Sequence, residues 1–267
     1  MTDDLFAQFK AVQREAWASF SPFAAFTTPP AASLVNYAGV SHGQEVLDVA
    51  CGSGVVAVTA ARRGARVRGL DLSPVLIEQA RRNADFVGAQ IEFIEGDAEA
   101  LSYADATFDV VLSQFGHMFA PRPQVAIREM LRVLKPGGRI AFSTWPPELF
   151  MGQLFALTER YSRPAAGGAP PPQAWGDPKL VGELLGDAVT DLEFDRDEIY
   201  TPALSPQHYR ASVEQTIAPV ATVVVTSAED PQRLAAFRTE LDALIEKWFH
   251  NNRVRQSFLM TRALKRY

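Results

Sequence analysis

The sequence predicts an α/β fold: a mainly parallel, Rossmann-like sheet with helices packed on both faces. Three observations carry that prediction. Short apolar runs alternate with helical patterns from Gln44 to Trp145, as strand–helix–strand units do. The first run ends in a glycine turn, Gly52-Ser53-Gly54, that opens a helix. The chain has 267 residues, 47% hydrophobic and 21% charged, enough apolar material for one large, elaborated core.

Residues 3–20 read as an amphipathic helix, with Leu5, Phe9, Val12, Ala16 and Phe20 on one face. Residues 21–32, SPFAAFTTPPAA, read as a proline-broken aromatic loop, after which Ser33 caps a short helix ending near Gly39. EVLDVA is the first buried strand and GVVAVTAARRG its helix, stopped by Gly64. RVRGLDLS is the second strand. Ser73 and Pro74 then open a helix that ends at Gly88. IEFIEGDA and FDVVLSQF are strands three and four. RPQVAIREMLRVLKPGG is a helix closed by Pro-Gly-Gly, and RIAFSTW is strand five. Right-handed crossovers place the C-terminal ends of these strands on one edge, where such sheets bind ligands.

Beyond Trp145 the rhythm breaks. Residues 162–178 are rich in Pro, Gly and Ala and read as a surface loop or lid hinge. Residues 192–201 predict a sixth strand, 205–218 and 230–250 two helices, and RVRQSFLMTRALKR a last strand.

The net charge of −5 argues against a general nucleic-acid binder. Arg253, Arg255, Arg262, Lys265 and Arg266 gather near the end of the chain and read as solvated positions on one strand. The single cysteine, Cys51, excludes an intrachain disulfide. The first residues, MTDDLFAQFKAVQREAW, do not read as a secretion signal, and no uncharged apolar run reads as long enough to span a bilayer. A cytoplasmic enzyme with a small-molecule partner, no nucleic acid and no stable membrane insertion is the expectation. No metal-ligating spacing occurs.

Which ligand suits the glycine turn is open from the turn alone. Gly52 to Ala57 matches G-x-G-x-x-A, the dinucleotide fingerprint. Asp71, 17 residues after Gly54, suits ribose hydroxyls in either a dinucleotide or a methyl donor. Asp48 inside the first strand would repel a pyrophosphate but serve a ligand with an ammonium group. Asp97 followed by Ala98 suits an adenine edge.

VLDVACGSG, GLDLS, EGDAEALSYADATFDVVLSQF and REMLRVLKPGGRIAFSTW, in that order, closely resemble the class I S-adenosylmethionine-dependent methyltransferases, most of all the type 11 and UbiE/Coq5-like branch. The resemblance covers residues 44–145. It implies a seven-stranded sheet of order 3-2-1-4-5-7-6 with the last strand antiparallel, and a helical insertion before that strand. It implies an N-terminal helical lid over residues 1–40 and a methyltransferase domain over 41–267, with a substrate cap at 150–250. The implied cofactor is S-adenosylmethionine, leaving as S-adenosylhomocysteine.

Carried over by position, Asp48, Ala50, Gly52 and Gly54 resemble the loop around the methionine part. Asp71 resembles the ribose-binding acid and Leu72 the apolar residue on adenine. Asp97 and Ala98 resemble the adenine-edge pair, with Glu99 beside them. Ser113, Gln114 and Phe115 match the end of strand four, where cofactor meets substrate. Ala50 stands where many relatives carry glycine. Trp17, Cys51 and Met118 complete the expected cofactor-binding set.

Methyl transfer from a sulfonium is a direct displacement that needs no enzyme nucleophile, so Cys51 reads as small-residue packing. A general base helps only an acceptor that carries a proton. His117, after strand four in SQFGHMF, is the candidate base. Trp17, Phe20, Phe23, Phe26, Phe115 and Phe119 offer aromatic faces for a sulfonium or a flat acceptor. Two other functions remain. An NAD-dependent oxidoreductase fits the glycines and Asp71, but the chain lacks a Tyr-x-x-x-Lys. A non-catalytic cofactor-binding protein of this fold is the other.

Overall fold

A computed structural model describes residues 2–17, 24–162 and 170–267. Phe20, Phe23, the side chains of Leu5 and Ala16, and positions 163–169 of the anticipated hinge lie outside the described residues.

Five parallel strands form the body: β1 (Glu45–Val49), β2 (Arg66–Asp71), β3 (Ile91–Glu95), β4 (Phe108–Gln114) and β5 (Leu134–Thr144). Crossover helices α3 (Val55–Ala61), α4 (Pro74–Phe86) and α5 (Pro123–Val133) connect them. The chain continues through α6 (Phe150–Arg160), α7 (Pro178–Leu185) and β6 (Val189–Pro202), ending in a two-residue β7 (Phe249–His250) and β8 (Arg253–Lys265). The sheet order is β3-β2-β1-β4-β5-β8-β6, with β7 paired to β8. β8 is antiparallel to both neighbours. With β7 set aside as a short hairpin arm, this is the expected seven-stranded order.

Alternation along the strands builds two apolar layers. Val46, Val110, Leu112 and Ala141 face one side, with α3 and α4 residues such as Val56 and Ile77. Leu47, Val49, Val111, Ile140 and Phe142 face the other, with Ile127, Met130, Leu154 and Trp175. Gly54 carries φ 80°, and a Cβ there would lie 3.0 Å from both Ala80 and the Phe93 ring. Its work is to let α3 approach α4 and β3.

Four expectations need correction. Residues 24–32 are not a loop: α2 (Ala24–Tyr37) starts ahead of the expected helix and runs through Pro29 and Pro30. Buried Ala31, Leu34, Val35 and Ala38 pack with α3 and the sheet, and that burial offsets two missing N–H donors. β5 begins at Leu134 rather than after Pro-Gly-Gly: Phe108 pairs with Leu134 and Val110 with Arg139, so Lys135–Gly138 bulge out. The insertion holds three helices rather than two: α8 (Pro206–Thr216), α9 (Ala218–Thr226) and α10 (Pro231–Glu246). Finally, the expected apolar stripe of α1 (Thr2–Ala16) is not buried throughout its described residues. Val12 is 68% exposed, while Lys10 and Gln13 reach the body.

Among the described residues no helix is long and apolar enough to cross a membrane. α6 lies against the turn before it so closely that a Cβ on Gly152 would sit 2.1 Å from the Pro146 carbonyl oxygen. Gly152→Ala should therefore lower stability by about 1–3 kcal/mol, because backbone rather than a flexible side chain must yield; urea denaturation monitored by circular dichroism measures it.

Candidate active site

The C-terminal ends of β1, β2, β3, β4 and β5 open onto one cavity, roofed by α1 and by the α8–α9 junction. Sheet order divides it. The ends of β1–β3 bring polar groups; those of β4 and β5 bring aromatic ones. The crevice lies where the chain order reverses between β1 and β4, the usual ligand position in open α/β sheets.

On the polar side, the β1–α3 turn is pinned to β2. The Gly52 amide donates to Asp71 Oδ2 at 2.8 Å, the Ser73 amide to Asp71 Oδ1 at 2.9 Å, and the Cys51 amide to the Leu70 carbonyl at 2.9 Å. Burial pushes the Asp71 carboxyl above its ordinary range despite these bonds. The two carboxyl oxygens have more acceptor sites than these backbone donors fill, so lone pairs remain for a ligand hydroxyl. Ala50 takes φ 54° at the start of the turn, so the alanine keeps the left-handed geometry that favours glycine.

Asp48 is fully buried. Its Oδ2 accepts from the Ala57 amide at 2.9 Å, at the start of α3, and Oδ1 has no partner. Burial, reinforced by the Asp71 charge, pushes its carboxyl up to about 8. The same burial holds the Cys51 thiol well above its usual value, with Asp48 and Asp71 adding to it. Cys51 is thus a protonated thiol in the cavity wall and not an activated nucleophile.

Leu72, Asp97 and Ala98 line the same half. The Asp97 carboxylate is already engaged: Oδ1 accepts from the Glu99 amide at 2.9 Å, and Oδ2 pairs with Lys10 of α1 at 2.6 Å. Glu99 does not line the cavity. Its buried carboxylate takes Lys10 Nζ at 2.5 Å and the Arg122 amide and guanidinium at 2.6 and 2.8 Å. It is a clasp between α1 and the chain entering α5, and its two cations make its burial tolerable.

On the apolar side, Phe115 carries φ 60°, a strained geometry that accompanies a parallel stack on Trp145, centroids 4.1 Å apart. Phe258 of β8 meets both rings edge-on at 5.5 and 6.1 Å. Gln114 Nε2 donates to the Thr27 carbonyl at 2.7 Å, tying α2 to the rim. Trp17 lines the cavity and meets Phe119 edge-on at 4.7 Å.

Five of the anticipated site residues stand outside the lining, Glu99 among them. Gly54 packs between helices. Ser113 is buried, its hydroxyl donating to the Val49 carbonyl at 2.7 Å and accepting from the His117 amide. Met118 is core. His117, the candidate base, is fully buried against Phe142 and Trp175 at 4.7 and 4.6 Å, and neither ring nitrogen has a partner. Its pKa is lowered to about 3 by burial alone. The one-turn 3₁₀ segment His117–Phe119 carries the ring into the core, so it has no path to an acceptor.

Sequence reasoning missed Lys10, Gln13, Thr27, Trp145, Met151, Phe155 and the Ile217–Pro219 junction, all in the lining. Trp145 had a signal: it directly follows strand five on the ligand edge. Among the described residues no group of three or more His, Cys, Asp or Glu side chains is placed to hold a metal.

A buried neutral histidine has a pH consequence. Its folded pKa lies below the unfolded value of 6.5, so its contribution is whole above 6.5 and lost as pH falls toward 3. His117→Phe should shed that loss. At pH 4 the variant should lose about 3 kcal/mol less stability, relative to pH 7, than the parent. Denaturant titrations at the two pH values measure the difference.

Comparison with known proteins agrees with this architecture. The family model described as "Methyltransferase domain" matches residues 47–142. An uncharacterized protein of Mycobacterium tuberculosis is 33% identical over 233 residues, 87% of this chain and 85% of its own length. Demethylmenaquinone methyltransferase of Renibacterium salmoninarum is 35% identical over 168 residues, 58% of this chain and 69% of its own. The YcgJ protein of Bacillus subtilis shares the fold, with TM-score 0.61 and 16% identity over 89% of this chain and 98% of its own. Together with the parallel sheet and the glycine turn, these matches show that the chain belongs to the class I S-adenosylmethionine-dependent methyltransferases, enzymes whose cofactor is S-adenosylmethionine.

Proposed function

We propose that this protein methylates a small, flat, apolar acceptor, with the cofactor lying along the ends of β1–β3 and the acceptor against Phe115 and Trp145. The observation that carries the reading is Asp48: a fully buried carboxyl with an orphaned oxygen, beside a cavity and with no cation bonded to it. A ligand that brings a positive group to this turn relieves that cost. The methionyl ammonium of S-adenosylmethionine fits it, and a dinucleotide pyrophosphate does not. Asp71 and Leu72 then suit the ribose and one adenine face, with Ala98 at the adenine edge. Asp97 serves that edge only by sharing its carboxylate with Lys10.

The cofactor supplies an already activated methyl group. The chain supplies position and dryness. Trp17, Phe115 and Trp145 offer ring faces to a cation. α1 and α2 act as the lid over residues 1–40, held through Lys10, Gln13 and Gln114. The insertion acts as the cap, reaching the cavity through Ile217 and Pro219. The aromatic wall, and the quinone-type substrate that the name of the Renibacterium relative denotes, support a flat ring system as acceptor.

The test is calorimetric titration with S-adenosylhomocysteine and NAD. The homocysteine product should bind and NAD should not; the reverse result overturns the reading. Asp48 starts protonated at pH 7, because its folded value is about 8, and an ammonium partner drives it to ionise. Binding should therefore release up to one proton, read from the dependence of the enthalpy on buffer ionisation heat. Asp48→Asn should abolish that release and weaken binding by one to two orders of magnitude, about 1.4–2.8 kcal/mol. Asp71→Asn keeps one backbone acceptor and should cost affinity; it also removes a charge that raises the Asp48 pKa, so proton release should shrink but persist.

A further inference from the structure

We infer that the acceptor reaches this site as the oxyanion of a flat weak acid, ionised in water before it binds, and that the protein contributes no base to it. The inference rests on the proposed placement of cofactor and acceptor in the cavity. Its observation is how the titratable groups are distributed. Asp48, Cys51, Asp71 and Asp97 stand at the ends of β1, β2 and β3, and Lys10 is held on Asp97 and Glu99. Beyond β4 the described lining includes Phe115, Phe119, Trp145, Met151, Phe155 and the Thr216–Pro219 junction, and holds no acid, base or cation.

Two polar groups on that side supply no base. The Thr216 hydroxyl donates to the Ser212 carbonyl at 2.9 Å. The Gln114 amide nitrogen donates to the Thr27 carbonyl; its oxygen is buried without a partner and can accept a hydrogen bond, but an amide oxygen has no appreciable basicity. His117, the one histidine near this edge, has its ring buried behind Phe142 and Trp175.

Such a wall selects by chemistry. An aliphatic alcohol keeps its proton across the working pH range and finds nothing to take it. An alkylammonium would have to shed a proton in the same dry place. A carboxylate or phosphate substituent on the acceptor would lose its hydration with no Lys or Arg in the described lining beyond β4 to replace it, Lys10 being held on the acid side by Asp97 and Glu99. A phenolate or enolate spreads its charge over a flat ring, and the ring lies on the aromatic wall.

Its charge is cancelled in the reaction. The anionic oxygen forms the new C–O bond as the methyl–sulfur bond breaks, and that electron pair stays on sulfur. The acceptor's proton has gone to solvent beforehand. Two opposite charges become none, so an apolar enclosure favours the transition state over the separated ions.

The test uses naphthols whose ring substituents move their ionisation between about pH 7 and about pH 10, and reads two quantities across pH. In the S-adenosylhomocysteine complex no sulfonium balances the anion, so calorimetric affinity for each naphthol should fall at least tenfold as pH rises through that naphthol's own ionisation. With saturating S-adenosylmethionine, kcat/KM should rise through the same midpoint, shifting from one naphthol to the next. His117→Phe should leave both curves in place.

A kcat/KM midpoint common to all naphthols would mean a protein base and overturn the inference. Affinity that strengthens with ionisation in the homocysteine complex would mean a cation on the acceptor side and overturn it too. So would failure of every naphthol to bind while S-adenosylhomocysteine binds, with the methyltransferase site left standing. Failure of S-adenosylhomocysteine itself to bind would instead sink the placement on which the inference rests.

Discussion

The Asp71 carboxylate is the constraint on which the site hangs. It sits at the end of β2 and holds the Gly52 amide of the β1 turn and the Ser73 amide at the head of α4. One side chain thereby fixes two loops that emerge from neighbouring strands. Burial penalises its charge, and the backbone donors offset part of that penalty. With the turn drawn onto β2, Asp48 is left behind it, its only bond to the Ala57 amide at the start of α3. A cavity with one satisfied and one unsatisfied carboxyl follows from this single attachment.

The two halves of the cavity obey different physics. The β1–β3 half is built from short backbone bonds and buried acids, so it presents hydrogen-bonding groups and charge. The other half is built from stacked and edge-on rings, Phe115, Trp145 and Phe258, so it presents shape and dryness. α1 bridges them, with Lys10 on the acid side and Trp17 on the ring side. Lys10 ties this face to the body through its ion pairs with Asp97 and Glu99. Glu99 makes that possible: Arg122 and Lys10 meet on it, one from the body and one from α1.

Much of this was legible in the residues. Strands β1–β5 were, because Gly64, Ser73-Pro74 and Gly88 punctuate the alternation, and the glycine turn was, because its ligand-edge position follows from crossover handedness. Other features depend on distant partners. α2 survives Pro29 and Pro30 because of burial that no local pattern reports. His117 sits on the right edge in sequence, yet one turn of 3₁₀ helix swings it into the core. Lys10 is an ordinary helix lysine until Asp97 and Glu99 are seen beside it. Gly54 and Glu99 belonged to the right motifs and do mechanical work within them.

The place of β8 bears on how the molecule is made. This strand lies between β5 and β6, pairing residues 139–144 with 259–264, and its Phe258 backs the aromatic wall. On the ribosome, β1 to β5 are synthesised more than a hundred residues before it. Until β8 arrives, β5 has an unpaired edge, and Phe115 and Trp145 lack the ring that supports them. The nascent chain therefore holds the acid half of its cavity early and the aromatic half late. β5 and β6 must wait, open to wrong partners and to chaperones, for the strand that joins them.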